Sequence, residues 1–444
     1  MPEIQPKDEQ TEFRFLRTVK IGSFHIGSSA VDLMATAVWN RIMIVDLGMA
    51  AWPVALLSAL RYFLAPLSLW AGHRADTHPI RGSRRLAYIW IGRVLVLVSL
   101  PLLPLSTGLI ATGEDYGWLL ALVAFVMFGS GMFISAPAFL ALVHDNAPYN
   151  RRGLAISIVW FILVASFAFL PQIFARMMPE YEFQAFLRLS VIVAAGAGLI
   201  WFFSVWREER PAEPKEDKGF QEAFSGILSD KRTRRYALFL GASAFFVWMQ
   251  DAVMEPFGGD VFGLPVGETT RFTAFWGSGV LLGMVITMAY TRRWRPDQQV
   301  GTTMWGLALL AIPLIAIGGS AWTANLAVVR PLLFLFGIGF GIFTAGGVSL
   351  LMAMSVENQA AAYLALWSAI QLVSRGAGIA AGGFLRDAAL SVTGSFPTTY
   401  GIVFWLEALG ALACIWLLRR VDVVGFAMKS GRTTAAEPVA VAAD

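Results

Sequence analysis

Long apolar runs alternate with short polar breaks along almost the whole chain. The runs are continuous, without the every-second-residue alternation of a strand exposed on one face. Apolar runs of this length read as membrane-spanning helices, because a hydrocarbon core of about 30 Å needs about 20 residues at 1.5 Å each. A transmembrane β-barrel would instead alternate apolar and polar positions. Marking the breaks predicts twelve helices, near 19–45, 51–72, 86–108, 117–144, 153–178, 183–206, 235–256, 269–290, 299–319, 323–353, 359–385 and 397–418. The fold class expected is therefore an all-α integral membrane protein.

Composition agrees. Of 444 residues, 57% are apolar and 14% charged, with a mean hydropathy of +0.63. A soluble domain carries about 25% charged residues, so this chain cannot cover a water-facing surface of its size. Sixteen tryptophans suit the two interfacial belts of a bilayer. The single Cys414 excludes an internal disulfide. The net charge of +4 is small, and no basic domain points to nucleic acid. The polar, acidic start MPEIQPKDEQTE is not a signal peptide.

Basic residues sort by loop. Arg14, Arg17 and Lys20 precede helix 1, Arg74 to Arg85 follow helix 2, and Arg151 and Arg152 follow helix 4. A further set from Arg207 to Arg235 follows helix 6, Arg292 to Arg295 follow helix 8, and Arg419 and Arg420 follow helix 12. The loops between carry few, and 355–358 (SVEN) is the one even-numbered connection without a basic residue. The positive-inside rule then puts both termini in the cytoplasm, and the expected location is the inner membrane. The polar stretch 207–234 reads as a cytoplasmic linker between two six-helix halves, 19–206 and 235–420. The flanks, 1–18 and 421–444, read as a cytoplasmic N-terminal segment and a disordered tail.

The halves resemble each other. FGSG at 128–131 matches FGIG at 336–339, and Gly48 in VDLGM aligns with Gly263 in VFGL. Both matches set helix n against helix n+6, the parallel duplication of major facilitator transporters. The loop GHRADTHPIRGSRR (72–85) resembles that superfamily's signature after helix 2, with Gly72, Asp76, Arg84 and Arg85 in its roles and Thr77 departing from it. A glycine there lets two helices approach, and the acid can pair with a basic side chain in one conformation and release it in another. A plain positive-inside loop explains the same arginines. HDNAPYNRRG (144–153), with its acid, proline and Arg-Arg-Gly turn, has the same character.

The seventh helix carries the most unusual chemistry. Asp251 lies about 15 residues past Tyr236, roughly 23 Å into the membrane, and Glu255 follows one turn later on the same face. Ionisable groups at that depth face a bundle interior or a water-filled cavity and mark function. Arg41, Arg61, Arg93 and Arg375 are the candidate counter-charges. Pro256 and the pair Gly258-Gly259 are expected to end the helix, making 256–268 an outer loop with Asp260 and Glu268 solvated and Thr269 as the N-cap of helix 8.

MQDAVMEPFGGDVFGLPVGETTRFTAFWGSG (249–279) resembles the hallmark segment of the bacteriochlorophyll-delivery family of the major facilitator superfamily, the PucC and LhaA type. The stretches 39–92, 365–387 and 400–412 agree with it, so the resemblance covers nearly the whole chain. Arg61 and Arg375 depart from the usual pattern. The resemblance implies a twelve-helix protein that delivers or inserts (bacterio)chlorophyll as light-harvesting antenna complexes assemble. Its partners would be the pigment, antenna subunits and membrane lipid, with no covalently bound cofactor.

A pigment's magnesium takes one axial ligand. His25 is the only histidine within a membrane helix and is the candidate, with Gln172, Gln250 and Gln371 as membrane-depth amides; plain interfacial or packing roles compete for each. No nucleotide loop, metal-spaced Cys/His cluster or nucleophilic triad is present, so no enzyme is expected. The resulting expectation is a cavity between the halves lined by Asp251, Glu255, Gln250, Arg41, Arg61, Gln371 and Arg375, with Asp251 or Glu255 taking up a proton. Two rival readings share the fold: a proton-coupled exporter of a small amphipathic compound, and a non-transporting assembly chaperone.

Overall fold

A computed structural model describes residues 13–148, 151–209, 230–355 and 360–429. Among these residues the ordered elements are helices, and the only pairing of extended backbone is an isolated bridge between Ile80 and Ser83. Among the described residues, eleven helices are long and apolar enough to cross a membrane. They are spans 2 to 6 (Ala51–Thr77, Leu86–Ala111, Tyr116–Asp145, Arg152–Met177 and Phe183–Val205) and spans 7 to 12 (Lys231–Phe262, Val266–Thr291, Pro296–Thr323, Leu326–Ala353, Tyr363–Thr393 and Phe396–Arg419). The first predicted span is a helical run broken into Phe15–Gly22, Phe24–Leu33 and a stretch to Asp46 that contains two π-turns, Met34–Val38 and Ile42–Asp46. The breaks explain why no long uninterrupted helix stands there. Side chains such as Trp305, 70% exposed, and Leu409, 62% exposed, cover the outside. That surface suits lipid and not water.

The structure corrects the sequence reading around span 7. The segment 256–268 is not an outer loop: helix Met254–Phe262 continues through it, and helix Val266–Thr291 starts after a short turn. Pro256 is the third residue of Met254–Phe262, in the first turn, where a missing N–H costs nothing. Gly263, at φ +66°, stops that helix in the left-handed conformation that glycine adopts without strain. Asp260 is not solvated either; it accepts hydrogen bonds from Arg386 Nη2 and from the Tyr400 hydroxyl, both at 2.6 Å. Thr269 is inside a helix, its hydroxyl bonded to the Val266 carbonyl, and is no N-cap. Span 7 also starts four residues earlier than expected, because Asp230 caps it by accepting from the N–H groups of Arg232 and Thr233. At the other end of the chain, a short helix, Val423–Lys429, occupies the start of the predicted tail.

Contacts divide the chain into two units. The first holds the described residues up to Met49, those of Phe63–Asp217, and Pro265–Ala274; the second holds Ala50–Tyr62, the described residues of Lys218–Leu264, and those from Phe275 onward. The repeat seen in the sequence reappears as local geometry in each. Gly48 and Gly263 both have positive φ, +64° and +66°. In the first unit a Cβ on Gly131 of span 4 would meet the Gly92 carbonyl of span 3; in the second, a Cβ on Gly339 of span 10 would meet the backbone of Leu309 and Leu310 in span 9. Lipid tails offer helices no hydrophobic drive to associate, so close backbone approach through small residues must hold them.

Gly337 packs against the Trp276 carbonyl of span 8, whereas Gly319 has open space around it. Gly337→Leu should lower the melting temperature of the detergent-solubilised protein by several degrees or prevent recovery, and Gly319→Leu should leave it unchanged; thermal-shift measurements on both check this.

Candidate functional site

A proline inside a helix lacks an N–H and its ring crowds the carbonyl four residues earlier, which for Pro256 is that of Ala252. Span 7 accordingly breaks before Pro256, into helix Lys231–Val247, a 3₁₀ turn Met249–Ala252 and helix Met254–Phe262. Inside a membrane such a break must be covered by protein or water. Span 11 covers it: Cβ atoms on Gly378 and Gly382 would meet the carbonyls of Phe245 and Met249. Glycines at these positions let the two backbones touch.

That approach carries Arg375 to the break. Its guanidinium lies over the Trp248 ring, 3.3 Å from the centroid, and over the Tyr62 ring at 4.5 Å. Its Nη2 stands 3.8 Å from Asp251 Oδ2. The side chains of Arg375 and Asp251 keep 21% and 23% exposure, so the pair is within reach of solvent or a ligand. Arg61 is buried and donates from Nη2 to the Tyr62 hydroxyl at 2.7 Å. Glu255 is buried in the first turn of Met254–Phe262, where the positive helix end favours an acid. Gln250 is buried, with its side-chain oxygen unpartnered among the described residues. Gln371 is half-buried, one turn before Arg375 on the same helix face. Six of the seven cavity candidates thus belong to the second unit, and contacts join three of its elements at the break: span 2 through Tyr62, the 3₁₀ turn through Asp251, and span 11 through Arg375.

The seventh candidate, Arg41, belongs to the first unit. Its Nη1 donates to Asp46 at 2.8 Å, a five-residue spacing that the π-turn Ile42–Asp46 brings onto one face. Arg93, also in that unit, is 2% exposed and stacks between Phe24 and Trp201, with centroids at 4.4 and 4.5 Å. His25 is half-buried, its ring edge-on to Phe139 at 5.1 Å and near Trp160 at 6.3 Å. These aromatic neighbours make a plain packing role sufficient for it.

The signature loop forms an ionic network. A Cβ on Gly72 would touch Pro137 of span 4 at 3.2 Å, which is the close approach expected of that glycine. Asp76 pairs with Arg85 at 2.5 Å and with Arg84 at 3.6 Å, and Arg85 also reaches Asp145 at 3.2 Å. The structure adds two acids that the sequence reading left in the linker. Glu209 accepts from the N–H groups of Arg84 and Arg85, each at 2.6 Å, at the start of span 3. Glu208 accepts from Arg17 at 2.5 Å and Lys20 at 2.6 Å. Burial opposes ionisation of Glu208, but the hydrogen bonds from Lys20 and Arg17 hold it below the usual carboxylate range. Trp248 and Tyr62 were also missed, because aromatic residues in apolar runs look alike whether they face lipid or an arginine.

The chain is similar to known proteins over most of its length. The family model described as PUCC protein matches residues 38–426. Protein PucC of Rhodovulum sulfidophilum is 26% identical over 393 residues, covering 84% of this chain and 85% of that protein. The Bacteriochlorophyll synthase 44.5 kDa chain of Rhodobacter capsulatus is 27% identical over 426 residues, covering 89% and 92%. Among solved structures, a POT family transporter in complex with a thioalcohol conjugated peptide superposes with a TM-score of 0.67 at 15% identity, covering 93% of this chain and 96% of that one. A mutant form of the nucleoside transporter NupG gives 0.66 at 12% identity, covering 91% and 100%. The structural likeness shows the fold, that of major facilitator transporters.

Glu208 supplies a test of the loop network. A carboxylate with a depressed folded value stabilises fully above its ordinary value, about 4.5, and loses that contribution as pH falls through the lower folded value. Glu208→Gln should therefore melt a few degrees below wild type at neutral pH. The gap should close as pH falls below about 4.5 and through the folded value; melting curves of both proteins against pH check this.

Proposed function

We infer the following role for this chain, which belongs to the PUCC protein family: it delivers or inserts (bacterio)chlorophyll while light-harvesting antenna complexes are assembled. Its architecture is that of a multi-pass membrane transporter. We place it in the inner, photosynthetic membrane with both termini in the cytoplasm, following the distribution of basic residues between loops. The observation that carries the reading is the cluster at the break in span 7, where Arg375 lies against Trp248 and Tyr62 beside Asp251.

Bacteriochlorophyll is a flat conjugated ring with carbonyl groups at its edge and a long apolar tail. A cluster suited to it needs aromatic faces for the ring, a donor for the carbonyls and surroundings that accept the tail. Trp248 and Tyr62, stacked on Arg375, offer an aromatic wall beside it, and Arg375 offers N–H donors in one plane. Asp251 keeps that guanidinium in place and balances its charge when no cargo is present. The name of the Rhodobacter capsulatus relative mentions bacteriochlorophyll. We read the role here as handling rather than synthesis, because the fold is that of transporters.

The absorption spectrum of the gently solubilised protein from a photosynthetic host tests the role. A pigment band with antenna polypeptides is expected, and Arg375→Ala should reduce the pigment retained by about tenfold, as expected for loss of a charge-assisted hydrogen bond. Asp251→Asn and Glu255→Gln should cut antenna assembly while the protein stays in the membrane. A colourless, solitary wild-type protein would overturn delivery in favour of an exporter. Pigment and antenna binding that survives all three substitutions would favour a chaperone that does not use this site.

A further inference from the structure

Within the second unit, the start of span 7 and the end of span 12 gather cations that acids do not balance. Span 7 opens with Lys231, Arg232, Arg234 and Arg235, and span 12 closes with Arg419 and Arg420. Two acids stand beside these residues. Asp422 pairs with Arg232 at 2.9 Å, and Asp230 caps span 7 by accepting from the N–H groups of Arg232 and Thr233. Arg234, Arg235, Arg419 and Arg420 are exposed and meet no acid among the described residues. The signature loop of the first unit differs, because Asp76, Asp145 and Glu208 there pair with Arg84, Arg85, Arg17 and Lys20.

A positive-inside bias accounts for cations at these helix ends. It does not account for their arrangement. Spans 7 and 12 pack together here, and Arg235 Nη1 donates to the Arg420 carbonyl at 3.2 Å, one of the carbonyls that a helix end leaves without an internal partner. Arg420 turns its guanidinium back over the Trp416 ring, 3.5 Å from the centroid and one turn nearer the membrane centre. From there an exposed apolar stripe continues along the same face of span 12, through Trp416, Leu412 and Leu409 at spacings of four and three residues.

We propose that this junction binds an anionic glycerophospholipid. Arg235 and Arg420 hold the headgroup phosphate, Arg234 and Arg419 add to the local positive charge, and an acyl chain lies along Trp416, Leu412 and Leu409. A guanidinium fork matches the oxygens of a phosphate, and basic sites between membrane helices on the cytoplasmic side favour anionic headgroups. Trp416 does two things: its ring face steadies Arg420, and its edge meets the chain. A free phosphate would gain nothing from the stripe, and a zwitterionic lipid brings its own ammonium to compete with the arginines. The site does not rest on what the break in span 7 carries.

Melting of the purified full-length protein in detergent, with lipid titrated in, tests it. Phosphatidylglycerol should raise the melting temperature by several degrees, whereas phosphatidylcholine or inorganic phosphate at the same concentration should not. Arg235→Gln/Arg420→Gln should increase the phosphatidylglycerol needed for half of that gain by about fivefold for each charge removed, or about 25-fold together. Trp416→Ala should also increase it. Arg292→Gln/Arg293→Gln, which removes two exposed cations just past span 8, should leave it unchanged. If the first pair is not recovered folded, Arg234→Gln/Arg419→Gln, at exposed positions, carries the test in its place. Equal stabilisation by phosphatidylcholine would overturn the anionic headgroup. Equal stabilisation by inorganic phosphate, or an unchanged response in Trp416→Ala, would overturn the lipid as occupant. The same loss in the span 8 control would overturn the site, leaving a general attraction of a basic face for anionic lipid.

Discussion

The break in span 7 is the constraint on which the second unit is built. Backbone N–H and C=O groups in hydrocarbon need partners, and a proline in a crossing helix removes one and displaces another. The chain resolves this by restarting the helix at Met254, so that Pro256 falls in a first turn. The short 3₁₀ turn that results turns Asp251 and Gln250 out of the regular ladder. Span 11 must then come close enough to cover the interruption, and Gly378 and Gly382 allow it. Arg375 arrives as a consequence of that packing, one turn from Gly378.

The same logic explains why so few charges lie deep in the structure and why most are paired. Asp260 with Arg386 and Tyr400, and Arg41 with Asp46, are satisfied within their own units. Arg93 has instead two aromatic faces, which offset part of the cost of a buried cation. The pair at the break is looser and more exposed than the Asp260 pair. A pair at 3.8 Å with partial exposure is held less rigidly than one closed at 2.6 Å.

Much of the architecture was readable along the chain because lipid imposes a one-dimensional rule: a crossing helix needs a run of apolar residues of fixed length. That rule placed eleven spans with ends within eight residues of those observed. It could not see that span 1 is interrupted by π-turns, since backbone hydrogen-bond slippage leaves no mark on hydropathy. It also took Pro256 and Gly258-Gly259 as the end of a helix, because a proline that ends one helix and a proline that begins the next look the same in sequence. The glycine matches of the repeat did carry real geometry, as the shared left-handed backbone at Gly48 and Gly263 shows.

For the candidate site, the sequence by itself exposed several of the membrane-depth charges, since an acid or arginine in an apolar run stands out, although Glu407 in span 12 was passed over. It singled out Asp251, Glu255, Arg61 and Arg375 on that ground. Only the tertiary structure decided which of them meet, because pairing depends on helix rotation and on how closely backbones approach. Those distances put Asp251 beside Arg375, gave Arg41 to Asp46, and set Trp248 and Tyr62 against a guanidinium instead of lipid. They also placed Glu407, one acid in a long apolar helix, on the helix face that meets the segment 246–257.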